Sequence, residues 1–147
     1  MIRRFGDSPK VDRKYKLRPG VYAVIEKMGR VLLTHQSQPV PEFQLPGGGI
    51  DPGESPLAAL HREVYEETGW TIHTPRRLGA FRRFTYMPEY EMWAEKLCTI
   101  YLARPAIKLN PPTEADHTAM FMPMESVPDV LANDGDRFFL QQSLGLR

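Results

Sequence analysis

Glu63, Glu66 and Glu67 place three carboxylates within five residues, in a stretch that reads as the end of a helix before Thr68-Gly69. That is the unfavourable end, because the helix macrodipole stabilises acids at the N-terminus and cations at the C-terminus. Glu63 and Glu67 also form an i,i+4 like-charge pair, costing roughly 0.2–0.5 kcal/mol. Local rules broken together in one place point to a site rather than a scaffold. A divalent cation would neutralise such a group. Mg²⁺ takes hard oxygen ligands and keeps water or phosphate in part of its shell.

The elements that must position these acids are legible around them. Gly47-Gly48-Gly49 allows close approach of backbone, and Ile50–Gly53 has the composition of a turn. Ser55 suits a helix N-cap and Pro56 the first helical position. Leu57, Leu60 and Val64 recur at i, i+3 and i+7, a stripe predicted to face the core. Gly69 closes the helix as a C′ residue. At about 100° per residue, the three glutamates lie side by side on one exposed edge flanking that stripe. Arg62 reaches Glu66 at i,i+4 and offsets part of the repulsion.

The rest of the chain supplies a scaffold. Its 147 residues fit one domain, and 41% hydrophobic with 25% charged residues is ordinary for a globular protein. A formal net charge of +1 gives no global drive toward nucleic acid or membrane. No run approaches the roughly 20 apolar residues of a membrane span, and the N-terminus lacks the apolar segment of a signal peptide. Cys98 is the only cysteine, so no internal disulfide forms and a reducing, cytoplasmic setting is the simpler reading. Residues 1–18, rich in Lys and Arg, read as a mobile or surface-draped basic arm, with a phosphate-contacting arm as the functional alternative and a short strand around Tyr15–Leu17, preceding a single domain over 19–147. Val21–Ile25 and Val31–His35 form a hairpin signal with its turn near Gly29. Residues 71–86 read as a strand, and Met87–Glu95 as a loop long enough to cover a ligand site. Lys96–Ala103 alternates as a strand, with Cys98, Ile100 and Leu102 on one face. A Pro-rich connection, a strand over Thr118–Met122 and two short helices follow. The class is α/β, with a mixed sheet between helices.

The spacing runs Gly48, five residues, Glu54, seven residues, then Arg62-Glu63-Val64-Tyr65-Glu66-Glu67-Thr68-Gly69-Trp70. This resembles the Nudix box, Gx5Ex7REUxEExGU with U a bulky aliphatic. Gly48, Glu54, Arg62, Glu63, Glu66, Glu67 and Gly69 all match, and Val64 fits the first U. Trp70 departs from the aliphatic norm at a packing position. The resemblance implies a Nudix-type α/β/α sandwich and a Mg²⁺-dependent hydrolase, with Mn²⁺ as an alternative ion. It implies that Glu63, Glu66, Glu67 and the Gly48 carbonyl ligate metal, while Glu54 and Arg62 pair to orient the helix. Water would attack a phosphorus of a nucleoside diphosphate linked to some group X.

Outside the box, the family places an extra metal-binding glutamate in some members near the position of Glu114. It places a general base in other members where Glu89, Glu91 and Glu95 stand. Tyr86, Tyr90 and Trp93 are candidates to stack on a base or to cap the core, and Arg82 and Arg83 to meet phosphates or simply to alternate along a strand. A (d)NTP or modified-nucleotide pyrophosphohydrolase is the first expectation. ADP-sugar or dinucleoside polyphosphate cleavage comes second, and a non-catalytic module binding nucleotide or RNA comes third. The expected partner is a small nucleotide-type substrate, with no membrane and no DNA. An RNA 5′ end has no support of its own in these residues. Oligomeric state is left open, a homodimer among the options.

Overall fold

The computed structural model describes residues 2–38, 40–109 and 117–146. Among the described residues, eight strands and three α-helices follow one another: β1 (Arg3–Arg4), β2 (Lys16–Lys27), β3 (Arg30–Gln36), β4 (Glu42–Gln44), β5 (Gly47–Gly49), α1 (Pro56–Thr68), β6 (Trp70–Met87), β7 (Met92–Lys108), β8 (His117–Pro123), α2 (Val127–Val130) and α3 (Asp134–Leu144). The sheet is mixed. β2 runs parallel to β7 and antiparallel to β5, and β6 runs antiparallel to β7. β3, β4 and β8 form an antiparallel extension joined through Glu26 and Lys27.

Alternation along β2 separates two cores. Val21, Ala23 and Ile25 face α1 with Ala59, Leu60, Val64 and Ile72. Val24 faces the other way and packs with Phe81, Cys98, Ile100, Phe139 and Leu140 under α3. The expected α/β sandwich with a mixed sheet between helices is the architecture observed. The predicted hairpin is also present: Lys27 pairs with Arg30, and Met28 and Gly29 both adopt positive φ at the turn, as a two-residue type I′ connection requires. Among the described residues no helix is long and apolar enough to cross a membrane.

Several expectations change. Leu57 is 46% exposed, because the buried face of α1 begins only at Ala59. The stripe is carried instead by Leu60, Val64, Glu67 and Thr68. Met87–Glu95 is no long loop. Strand pairing continues to Met87–Met92, and one 3-10 turn over Pro88–Tyr90 closes the tip, with Glu91 N–H donating to the Pro88 carbonyl at 3.2 Å. Tyr86 and Trp93 fit a half-buried strand surface, so pairing outcompetes the loop reading.

At the N-terminus, Arg3 and Arg4 pair with Phe81 and Arg82 of β6. Phe5 meets Phe81 and Phe138 at ring-centroid distances of 5.6 and 5.5 Å. The expected boundary at 18/19 falls inside β2, since Lys16–Arg18 already pair with Ala94–Lys96.

Candidate active site

Ser55 begins α1 by accepting the Ala58 N–H at 3.1 Å, and Gly69 ends it at φ 76° with its N–H donating to Tyr65 at 2.8 Å. Both caps stand where the sequence puts them. They set the helix length and hence the rotation at which the acids emerge.

Arg62 is the hub. Its guanidinium forks onto Glu54, Nε to Oε2 at 2.7 Å and Nη2 to Oε1 at 2.8 Å. Nη1 donates to Glu63 Oε1 at 3.0 Å and to Glu66 Oε2 at 3.3 Å. Nη2 also donates to the Gly49 carbonyl at 3.1 Å. One side chain thus ties the turn before the helix, strand β5 and two acids of the helix edge. Such bidentate geometry is specific to arginine. The Arg62 hydrogen bonds, aided by the Asp51 N–H, hold the Glu54 carboxyl down at about 2. The same bond to Glu54 raises the guanidinium above its ordinary range, against the opposing effect of burial.

Glu67 behaves differently from its neighbours. It is 5% exposed and accepts the Gly47 N–H at 2.7 Å, locking α1 onto β5. The expectation that all three acids share an exposed edge is therefore corrected: the helix rotation that buries Val64 also turns Glu67 inward. Gly48 lies directly under Glu63. A Cβ built on it would fall 2.4 Å from the carboxyl carbon, so only glycine admits this approach.

This donor set suits a divalent cation. Hard carboxylate oxygens outnumber the single guanidinium, and the Gly48 backbone lies in a cradle that a side chain would fill. In the arrangement seen, Arg62 lies between Glu63 and Glu66, and no three acidic, histidine or cysteine groups among the described residues converge as a finished metal cage.

The candidates outside the box lie elsewhere. Arg82 approaches Glu95 at 3.6 Å. Tyr86 and Trp93 are 5.2 Å apart on the hairpin, and Arg13 covers the Trp93 ring at 3.9 Å. Glu91 closes the hairpin tip with φ 47° and is exposed. Alternation puts Arg82, Tyr86 and Trp93 on the α1 side of the sheet, where Tyr15 packs against Phe84 and Trp93. Glu114 lies outside the described residues. Trp70 packs edge-on against Phe121 at 5.5 Å, as its packing position implies. Burial pushes the Cys98 thiol up to about 12, which suits a core residue.

Sequence reasoning missed two groups. Tyr22 sits between the acids of α1 and Asp136, and burial raises its pKa well above the ordinary phenol value, with Cys98, Asp136, Glu67 and Glu63 adding to the shift. Asp136 is 4% exposed and accepts the Leu45 N–H; burial raises it to about 6. A polar residue one turn before Phe139-Leu140 was the available signal.

Residues 15–142 match the family model described as the NUDIX domain. The chain belongs to the Nudix family. An RNA pyrophosphohydrolase of Mesorhizobium japonicum is 32% identical over 83% of this chain and 86% of its own length. A Bacillus subtilis protein provisionally named 8-oxo-dGTP diphosphatase is 31% identical over 50% of each chain. The chain thus spans about half of that relative, and 62% of an RNA pyrophosphohydrolase of Agrobacterium fabrum. Among solved structures, a Nudix hydrolase from Nitrosomonas europaea superposes with a TM-score of 0.72, covering 90% of this chain and 92% of that one at 20% identity. A MutT Nudix hydrolase from Burkholderia pseudomallei gives 0.72 at 23% identity, covering 86% and 98%. These neighbours share the Nudix fold.

Proposed function

We propose that this Nudix protein hydrolyses a phosphoanhydride bond in a nucleotide-type substrate, as a (d)NTP or modified-nucleotide pyrophosphohydrolase, with Mg²⁺ as its ion and Mn²⁺ as a substitute. The observation that carries this reading is the Arg62 hub beside Gly48, which holds Glu63 and Glu66 together on one helix edge. Glu63, Glu66 and the Gly48 carbonyl would hold the cation, with Glu67 joining them or holding β5 in register. When bound, the ion offsets phosphate charge and makes an attacking water more acidic.

The chain's own residues do the rest. Arg62 and Glu54 hold the helix edge against the glycine turn, which fixes the backbone that carries the acids. A glutamate of the edge accepts the proton of the attacking water as its oxygen bonds to phosphorus. The P–O bond to the leaving phosphate then breaks, and that phosphate leaves with the electron pair. The lone, buried Cys98 supports a reducing, cytoplasmic setting.

A panel of nucleoside triphosphates, oxidised nucleotides, nucleoside diphosphate sugars and dinucleoside polyphosphates, with Mg²⁺ or Mn²⁺, tests the assignment. Turnover of at least one is expected, and Glu63→Gln should lose at least about 100-fold in kcat while keeping its far-UV circular dichroism. Unchanged activity in that variant sinks the mechanism.

A second reading, hydrolysis at a 5′-triphosphorylated RNA end, is favoured by the Mesorhizobium relative, which this chain matches over most of its length. Including a triphosphorylated oligonucleotide in the panel decides between the two.

A further inference from the structure

Two buried carboxylates hold one short segment from opposite faces of the sheet. Residues 45–47 lead from β4 into the glycine cradle of β5, and Leu45, Pro46 and Gly47 are all buried. Asp136, in the first turn of α3, accepts the Leu45 N–H at 3.5 Å. Glu67, on α1, accepts the Gly47 N–H at 2.7 Å. Between them Pro46, which has no N–H, presents its carbonyl to the Ala23 N–H of β2 at 2.9 Å. Three successive residues are thus tied to α3, β2 and α1.

Asp136 is itself held in aim. Asn133 caps α3, its side-chain oxygen accepting the Gly135 and Asp136 N–H groups at 2.8 and 3.2 Å. Just before it, the Ala132 N–H donates to the Phe43 carbonyl at 3.2 Å, and Leu131 bridges Phe43 in parallel. The approach to α3 therefore serves β4 as a second edge partner, opposite β3.

The bland alternative is that Asp136 only satisfies the Leu45 N–H, which would otherwise be buried without a partner. Two observations go further. Asp136 is 4% exposed, and burial disfavours its charged form more than Lys96 and Arg83 favour it. A group that breaks a local rule in this way points to function. The segment it holds also has no slack. A Cβ on Gly47 would fall 2.0 Å from the Val21 carbonyl, and one on Gly48 2.4 Å from the Glu63 carboxyl carbon. Tyr22 lies against Gly47 and feels the charges of both Asp136 and Glu67. A displacement of Leu45 passes through Pro46, whose ring fixes φ, to the glycine that faces Glu63.

We propose that Asp136 is a positioning residue for the active site. From the face of the sheet opposite α1, it sets Gly48 against Glu63 through Leu45, Pro46 and Gly47. Its effect on rate rests on the hydrolase reading; its effect on β5 does not.

Kinetics and amide exchange test it together. Asp136→Ala should lose at least about tenfold in kcat, with KM within about twofold, on the best substrate of the panel. Asp136→Asn keeps a side-chain oxygen for the Leu45 N–H and should stay within about threefold of wild type. Asn133→Ala loosens the first turn of α3 but keeps the carboxylate, so its kcat should fall between the two. It carries the test if Asp136→Ala does not fold, and wild-type kcat there overturns the proposal. In hydrogen exchange, Asp136→Ala should release the Gly47 amide at least about tenfold faster while the β7 amides keep their protection. A role confined to Leu45 predicts release of the Leu45 amide alone, in a folded Asp136→Ala protein with wild-type kcat, and that result overturns the proposal. Equal loss of kcat in Asp136→Asn and Asp136→Ala overturns it too, because the bond to Leu45 would not be what matters. If no substrate turns over, exchange still decides: release of Gly47 sustains the positioning role while the hydrolase reading fails.

Discussion

Arg62 shows how much one residue type decides. Lysine would keep the charge, but it cannot fork onto Glu54 while reaching Glu63, Glu66 and the Gly49 carbonyl. Arg62→Lys should therefore lower kcat by roughly 10–100-fold with a smaller change in KM. Steady-state kinetics check this. Asp136 makes a prediction of opposite sign. Its pKa rises on folding from 3.8 to about 6, so the native state prefers the protonated form. The associated stability is present in full below about pH 4 and is lost as pH rises through 6. Ionising this group at neutral pH costs roughly 3 kcal/mol. Asp136→Asn should accordingly stabilise the protein at pH 7, and the gap should close by pH 4. Denaturant titrations at the two pH values measure it, and a gap independent of pH would show the assignment to be wrong.

At the scale of elements, the site is a contact between α1 and β5. Glu67 accepts from Gly47 and Arg62 donates to Gly49, while Gly48 leaves room for Glu63. A Cβ at Gly48 would meet a side-chain carboxylate, whereas at Gly47 it would fall 2.0 Å from the Val21 carbonyl at φ 150°. The two alanine variants should separate. Gly48→Ala should retain its far-UV circular dichroism and melt within a few degrees of wild type, yet lose activity by displacing Glu63. Gly47→Ala should lose stability by roughly 1–3 kcal/mol, because backbone cannot yield as a side chain can. Equal stability loss in both would argue that β5 serves packing alone.

For the molecule as a whole, the sheet carries different duties on its two faces. The α1 face holds the helix that presents the acids. The α3 face holds Tyr22 and Asp136. The N-terminal segment contributes to both, with Phe5 packed between Phe81 and Phe138 and Tyr15 against Phe84. Because Phe5 is only partly buried, Phe5→Ala should cost roughly 2 kcal/mol, below the range for a fully buried ring. Chemical denaturation tests this, and a cost near zero would return residues 1–10 to the status of a loose arm.

The sequence by itself determined whatever depends on spacing within one helix and its flanks. Ser55, Pro56 and Gly69 set the ends of α1. Caps and i,i+4 neighbours are local rules, whereas the pairing of Glu54 with Arg62, eight residues on, was implied only by the resemblance to the Nudix box. The hairpin about Gly29 was legible by a local rule too. Tertiary structure alone decided that Glu67 turns inward while Leu57 stays out, since that depends on where the sheet begins to cover the helix. It likewise turned Met87–Glu95 into a tight hairpin. It alone brought Asp136 to the Leu45 amide, 91 positions away in the chain. The packing of two cores joins such residues, and no local window contains it.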